Sequence, residues 1–248
     1  VTKEVRQAVV DDRVTRLVDN IQQVIFGKSE VVKLCVTGLL ARGHILIEDV
    51  PGMGKTTLAQ GLARSIEGTF HRIQFTSDML PSDIIGISIL NQRTSDFEFR
   101  QGPLFANVVL ADEINRTPPK TQSALLEAMS EFQISTDGIT RQLPDPFIVL
   151  ATQNPIEYEG TYTLPESQLD RFFMRIRIGY PDRSSEREIL RGSTGGNAMR
   201  EVLSPHELLA VQQQVESVFV DEALSDYLLS LVDRTRSHES LSLGVSPR

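Results

Sequence analysis

The sequence predicts an α/β protein in which a five-stranded parallel sheet is covered by helices on both faces and followed by a smaller all-helical domain. Three observations carry that prediction. Short β-branched runs alternate with stretches of helical spacing along the first 180 or so residues. Most of the runs are short and largely apolar, which is the pattern of strands buried on both faces. After Pro181 the strands cease and only helical spacing continues.

Taken in order, Ser29 is placed to cap a helix through VVKLCVTGLLA, and His44 to Glu48 (HILIE) reads as the first buried strand. A glycine-rich turn leads into a helix from about Lys55 to Glu67, with Gly68 in the closing position that favours left-handed backbone. Strands follow at RIQFT, near 72–76, and at NVVLA, near 107–111, the latter running into Asp112. Pro118 and Pro119 open a helix through TQSALLEAMSE. FQISTDGITRQL alternates around Asp137-Gly138 and predicts a β-hairpin. FIVLAT, near 147–152, is the fourth sheet strand; a helix lies near LPESQLDRF; and MRIRIGY, near 174–180, is the fifth strand. Beyond about residue 183, SSEREILRG, PHELLAVQQQVESVF and EALSDYLLSLVDRTR are helices, with a flexible joint at 192–196 (GSTGG). The expected division is therefore 1–182 for the α/β unit and 183–248 for the helical one.

Composition narrows the class. At 248 residues, 40% hydrophobic and 23% charged, the chain has a globular profile with room for one large domain and a smaller companion. No apolar run approaches the roughly 20 residues needed to cross a bilayer, and the opening VTKEVRQAVVDDR is too charged for a signal-peptide core, so a cytoplasmic location is expected. The single cysteine, Cys35, sits among apolar residues at helical spacing and reads as a buried structural thiol. A formal charge of −8 disfavours nucleic acid as the default partner. His44, His71, His206 and His238 have no metal-ligand spacing, and no serine lies in a Gly-x-Ser-x-Gly setting, so neither a structural metal nor a serine hydrolase is expected. The first residue is Val1, and the last, Arg248, follows a turn signal with no closing helix; we expect a piece of a longer chain with its helical domain truncated.

The turn Asp49-Val50-Pro51-Gly52-Met53-Gly54-Lys55-Thr56-Thr57 leaves a strand and opens a helix, the setting in which glycines make a phosphate-binding loop. Glycines let backbone N–H groups curl toward an anion, the helix start adds its positive dipole, Lys55 reaches the outer phosphates, and Thr56 can hold Mg²⁺. Asp49 stands where the usual pattern has its first glycine. Chance alone gives a Gly-x-Gly-Lys-[Ser/Thr] string in about 1% of chains of this length, so the motif carries weight. VVLADE puts Asp112 and Glu113 at the carboxyl end of a buried strand, on the edge where ligands of open α/β sheets gather. There Asp112 would hold Mg²⁺ through water, and Glu113 would orient and deprotonate an attacking water. FIVLATQNP ends another buried strand in Gln153-Asn154; Asn154 before Pro155 would alone be an ordinary turn residue, but beside the other motifs its amide suits the attacking water or the γ-phosphate.

The set PGMGKT, VVLADEINR, ATQNP and LDRF resembles the AAA+ ATPases. More narrowly, FTSDMLPSDIIG, GPLFANVVLADEINRTPPKTQSALLEAM and GTYTLPESQLDRF resemble the MoxR family, over about residues 14 to 248. The resemblance implies the P-loop NTPase αβα sandwich with a helical lid. It also implies ATP and Mg²⁺ as ligand and cofactor. Pro51, Gly52, Met53, Gly54, Lys55, Thr56 and Thr57 would form the phosphate loop, Asp112 and Glu113 the Walker B pair, and Asn154 sensor 1. Arg171, which alone reads equally as a surface ion pair with Glu166 or Asp170, resembles the arginine finger offered to a neighbouring subunit. Arg248 matches the sensor 2 arginine, and the segment with Val24, Ile25 and Gly27 resembles the one along the adenine. A ring, expected to be a hexamer, follows from a finger acting in trans. The implied function is ATP-driven remodelling of a protein client, with von Willebrand factor A-domain proteins as expected partners. Two other readings stay open: a DNA-acting motor of the same helix-insert branch, and a nucleotide switch with slow hydrolysis. The Asp137-Gly138 hairpin resembles that branch's insert before sensor 1, and the region SDMLPSDIIGISILNQRTSDFEFRQG would be a second insert on the same side, free to touch a client. Neither is basic, which counts against pushing DNA.

Overall fold

The computed structural model describes residues 11–50, 52–155, 160–191 and 199–247. In chain order its elements are α1 (Asp12–Gln22), α2 (Ser29–Leu40), β1 (Ile45–Glu48), α3 (Lys55–Ser65), β2 (Phe70–Gln74), α4 (Pro81–Ile85), β3 (Gly86–Asn91) and β4 (Asp96–Gln101). They continue with β5 (Val108–Asp112), α5 (Pro119–Glu131), β6 (Gln133–Thr136), β7 (Ile139–Gln142), β8 (Ile148–Gln153), α6 (Glu166–Leu169), β9 (Met174–Ile176), α7 (Arg183–Leu190), α8 (Pro205–Glu216) and α9 (Glu222–Ser237).

Five strands pair in parallel in the order β2-β5-β8-β1-β9. Alternate residues feed two cores. Ile45 and Ile47 of β1, Val108 and Leu110 of β5, and Ile148 and Leu150 of β8 pack with α1, α2 and α3. Leu46, Val109, Ala111, Val149 and Ala151 pack on the opposite face with α5. This period of two is what an apolar run buried on both sides must produce. Leu58 and Leu62 of α3 and Ile66, its C-cap, follow a four-residue spacing and are fully buried, each contributing about 1.5–3 kcal/mol of apolar transfer. His44 ties the two sides together: its Nδ1 accepts the Val149 amide at 3.0 Å and its Nε2 bonds the Met129 carbonyl of α5 at 2.8 Å. Burial pushes its pKa down to about 4, so the ring is neutral. Cys35 is likewise fully buried, and its thiol is pushed up to about 12.

Several local expectations differ from what is observed. Lys28, not Ser29, occupies the N-cap of α2; Ser29 is the first helical residue, and its hydroxyl accepts from the Gln22 side chain at 3.1 Å. After α3, Glu67 takes the left-handed conformation (φ 49°) expected of Gly68. Gly68 serves close packing instead, since a Cβ there would lie 3.1 Å from that of Asn107. The segment near LPESQLDRF forms a single helical turn. The last strand ends at Ile176, short of the expected 180; beyond it the Ile178 and Gly179 amides donate to the Asp49 carboxylate rather than to β1.

Two antiparallel hairpins project from the core. The β6–β7 pair turns through Asp137 (φ 56°) and Gly138 (φ 73°), both left-handed as a two-residue hairpin turn demands. The second insert region holds α4 and the β3–β4 hairpin, whose alternation (Gly86–Asn91, Asp96–Gln101) is legible in retrospect. The hairpins touch: Arg141 lies 3.8 Å over the Phe99 ring, and the Ser88 hydroxyl donates to Asp137. Helices α7 to α9 follow the sheet. α8 buries Leu208 and Val211 and bonds α2 through Gln212, whose Nε2 donates to the Leu39 carbonyl at 2.7 Å. α9 has no buried residue. The expected joint at 192–196 lies outside the described residues. Among the described residues, no helix is long and apolar enough to cross a membrane.

Candidate functional site: a phosphate-loop cleft

Three adjacent strand ends build the cleft. β1 runs into the loop that opens α3, β5 ends in Asp112, and β8 lies between them. The loop turns back through Gly52 (φ 88°) and Gly54 (φ 84°), a conformation that L side chains seldom adopt. A Cβ on Gly52 would meet nothing within 4 Å, so this stretch of backbone borders open space. Gly54 is the N-cap of α3, so the unpaired amides and positive dipole end of an 11-residue helix face the cleft. Gly52, Gly54, Lys55, Thr56, Thr57, Arg72, Gln74, Asp112 and Glu113 line it, around a volume of about 340 Å³.

The polar groups in it are tightly organised. Lys55 is buried, and its Nζ donates to the Asp49 carbonyl at 3.1 Å. Asp112 accepts from the Thr152 hydroxyl at 2.6 Å on one oxygen and from the Arg72 guanidinium at 2.6 Å on the other. Glu113 has left-handed backbone (φ 60°, ψ 50°), a state that costs about 1–3 kcal/mol in a non-glycine residue and that its amide's 2.9 Å bond to the Thr152 hydroxyl helps to hold. Consecutive strand residues point to opposite faces; the turn at Glu113 brings both acids into one cleft. The Glu113 carboxylate accepts from Gln74 at 3.1 Å and pairs with Arg116 at 2.8 Å.

Lys55, Thr56, Thr57, Gly52, Gly54, Asp112 and Glu113, all expected from sequence, thus come together. Asn154 is buried one residue past β8, at the end of the strand between the two that carry the loop and the acids. Ile25 packs near Gly54, Val24 against Gly61 of α3, and Gly27 so close to the start of α7 that a Cβ would lie 2.3 Å from the Ser185 hydroxyl. Met53 packs on the α1–α3 core. Arg171 lies outside this chain's own cleft, donating to the Leu126 carbonyl at 2.9 Å and the Ser130 hydroxyl at 2.7 Å in α5. Pro51 and Arg248 lie outside the described residues. Sequence reading missed Arg72, Gln74, Arg116 and Thr152. The signal for the first two was Arg72-Ile73-Gln74, polar side chains two apart in a strand otherwise read as apolar.

Among the described residues, no three His, Cys, Asp or Glu side chains gather as a metal cage. The oxygen donors in the cleft include the Asp112 and Glu113 carboxylates and the Thr56 and Thr57 hydroxyls, of which Asp112 and Thr56 are the pair expected to serve a metal. Hard oxygens in that small number fit Mg²⁺, which keeps several waters and takes its other ligands from substrate phosphates. A wider hollow of about 590 Å³, lined by Leu46, Asp170 and Leu243 among others, shares no residue with the loop cleft.

A glycine loop between a parallel strand and a helix, with paired acids two strands away across the sheet, defines the P-loop ATPase class of fold. The family described as "ATPase family associated with various cellular activities (AAA)" matches residues 44–174. Chaperone MoxR1 of Mycobacterium tuberculosis is 46% identical over 244 residues, covering 94% of this chain and 64% of that protein. An uncharacterized Bacillus subtilis protein, YeaC, is 50% identical over 236 residues, covering 94% of this chain and 74% of its own. A crystal structure of a candidate ATPase from Cytophaga hutchinsonii superposes with a TM-score of 0.86 at 41% identity, over 95% of this chain and 75% of that one. The chain belongs to the MoxR family of AAA+ ATPases.

Proposed function

We propose that this chain binds ATP with Mg²⁺ in the loop cleft, hydrolyses it, and uses the cycle to remodel a protein client as a subunit of a ring. The observation that carries the reading is the convergence of Lys55, Thr56, Asp112 and Glu113 on one cleft at the start of α3. In this reading residues 1–182 are the nucleotide-binding core and 183–248 the lid. Backbone amides at 52–56 and the Lys55 ammonium hold the phosphates, and the segment at Val24, Ile25 and Gly27 borders the base. Bound through Asp112 and Thr56, Mg²⁺ would neutralise charge on the phosphate oxygens. Glu113, on a fixed backbone, takes the proton of the attacking water, and the Asn154 amide holds that water in place. Arg171 acts as the finger in a neighbouring site, which requires it to exchange the α5 contacts for phosphate.

The client role is supported by membership of the family that includes Chaperone MoxR1 and by the two hairpins. Ile87, Leu90, Phe97 and Ile139 on them are exposed apolar residues, and a protein surface suits these better than a phosphate backbone does. A von Willebrand factor A-domain protein is the proposed kind of partner. The test uses Glu113→Gln: nucleotide binding should stay within about threefold of wild type, turnover should fall about 10²-fold or more, and the trapped form should retain its client. Undiminished turnover in that variant refutes the assigned base, and failure of the wild type to bind Mg–ATP refutes the whole reading.

A further inference from the structure

Asp49 stands where most phosphate loops carry glycine, and each of its polar groups holds a different part of the molecule. Its amide donates to the Gln153 carbonyl at 3.3 Å, at the end of β8. Its carbonyl accepts from the Lys55 ammonium at 3.1 Å. One carboxylate oxygen takes the Val50 amide at 3.1 Å. The other takes two consecutive amides, Ile178 at 2.8 Å and Gly179 at 2.7 Å. Consecutive amides curling round one oxygen make a backbone anion nest, and the positive φ of Gly179 (66°) gives it that curvature.

The two residues so held begin the only covalent path from the sheet to helices α7 to α9. The path is pinned again immediately afterwards. Lys28 donates to the Tyr180 carbonyl at 2.7 Å, and Asp182 caps α7 by accepting the Ser185 amide at 2.8 Å. A glycine at 49 would leave the Ile178 and Gly179 amides without this acceptor. β9 has already stopped pairing at Ile176, so the sheet does not supply another.

We propose that Asp49 is a positioning residue that couples the phosphate loop to the hinge of the C-terminal helices; this rests on the ATP-binding reading. The coupling is local. When the Lys55 ammonium turns to phosphate oxygens, the Asp49 carbonyl loses its donor, and the 49–50 peptide is left tethered only by the Val50 amide's bond to the Asp49 carboxylate, so its rotation pulls on that side chain. That peptide unit adjoins the side chain that holds residues 178 and 179, so a change at the loop shifts the start of the helical segment. The side chain serves geometry and takes no part in bond making.

Hydrogen exchange on the full chain, with and without saturating Mg–ATPγS, tests the proposal. In wild type, nucleotide should slow exchange in the loop and the first turns of α3, and should change exchange at Ile178 and Gly179. In Asp49→Asn, which keeps the shape and loses the charge, and in Asp49→Gly, which restores the common pattern, the loop should still be protected by nucleotide. The two hinge amides should exchange roughly tenfold faster without nucleotide, the loss of one charge-assisted hydrogen bond, and should no longer respond to it. Hinge amides indifferent to nucleotide in wild type, or responding equally in both variants, overturn the proposal while ATP binding stands. A wild-type loop that nucleotide does not protect overturns the ATP-binding reading and this inference with it.

Discussion

Thr152 is the residue on which both acids of the cleft depend, and Thr152→Val removes its hydroxyl with almost no change of shape. The side chain is fully buried at the end of β8. Its hydroxyl donates to Asp112 at 2.6 Å and accepts the Glu113 amide at 2.9 Å. Valine leaves a carboxylate oxygen and a backbone N–H without these partners. A hydrogen bond to a charged group contributes about 1.5–3 kcal/mol and a neutral one about 1 kcal/mol, so the expected loss is about 3 kcal/mol, or roughly 6–12 °C in Tm for a chain of this size. The effect on turnover should be larger than that on nucleotide affinity, because the lost bond frees the left-handed backbone of Glu113 and leaves the loop intact. We expect a fall in kcat of roughly 10- to 100-fold, equivalent to about 1.4–2.8 kcal/mol of lost positioning. Urea unfolding and steady-state hydrolysis measure the two quantities, with Thr152→Ser as the control that keeps the hydroxyl. If valine and serine variants match each other in both assays, the hydroxyl does not organise the pair, and the reasoning fails.

Two further outcomes follow from the contacts. Arg72→Ala strips the guanidinium from Asp112, whose side chain is 10% exposed while that of Arg72 is 48% exposed; with that solvent screening the cost is about 1–2 kcal/mol. The cost should shrink when Mg–ADP is added, since the metal then neutralises the same carboxylate; an identical loss in urea unfolding with and without Mg–ADP contradicts this. His44 has its pKa lowered by burial from 6.5 to about 4. Between those values the unfolded chain takes up a proton that the folded one refuses, so stability falls as pH drops through that window, by up to about 3 kcal/mol at its lower end. NMR titration of the four histidines checks it: a His44 ring that titrates near 6.5 in the folded protein removes the contribution.

The fold was legible because its strands are buried on both faces. Runs such as VVLA and FIVLAT, short and rich in β-branched residues, suit the middle of a parallel sheet, where both faces are covered. The loop and acids were legible for a related reason: glycines before Lys55, and charges at the end of an apolar run, conflict with local burial unless a ligand site explains them. What escaped was set by partners distant in sequence. Thr152 looks like one more β-branched residue in a strand, and only its neighbour β5 gives its hydroxyl a task. Arg116 follows Glu113 by three residues, but a left-handed turn at Glu113 is what aims the two at each other. The β3–β4 hairpin escaped because its turn, Gln92-Arg93-Thr94-Ser95, lacks the Asn-Gly or Asp-Gly signature that made β6–β7 plain. Ser29 and Gly68 have the right residue types at the right places, yet one lies inside its helix and the other is held by packing.

The cleft reconciles a polyanion site with a chain whose formal charge is −8. Arg72 pairs with Asp112 and Arg116 with Glu113, Lys55 adds a third cation held by the Asp49 carbonyl, and the Asp49 carboxylate is turned away to the Ile178 and Gly179 amides. Local charge is therefore positive where phosphates would lie, and the helix start adds to it. All three cations are already engaged by protein oxygens, so a triphosphate with its metal would exchange those contacts for its own. Lys55 would leave a carbonyl, and Arg72 would yield Asp112. Arg72 lies on β2 and the Asp49 carbonyl in the loop after β1, so these exchanges would link binding to small shifts at both. A neutral, preformed pocket would hold the nucleotide without that link. The same contacts that make the site look saturated are the ones through which occupancy would be felt elsewhere in the chain.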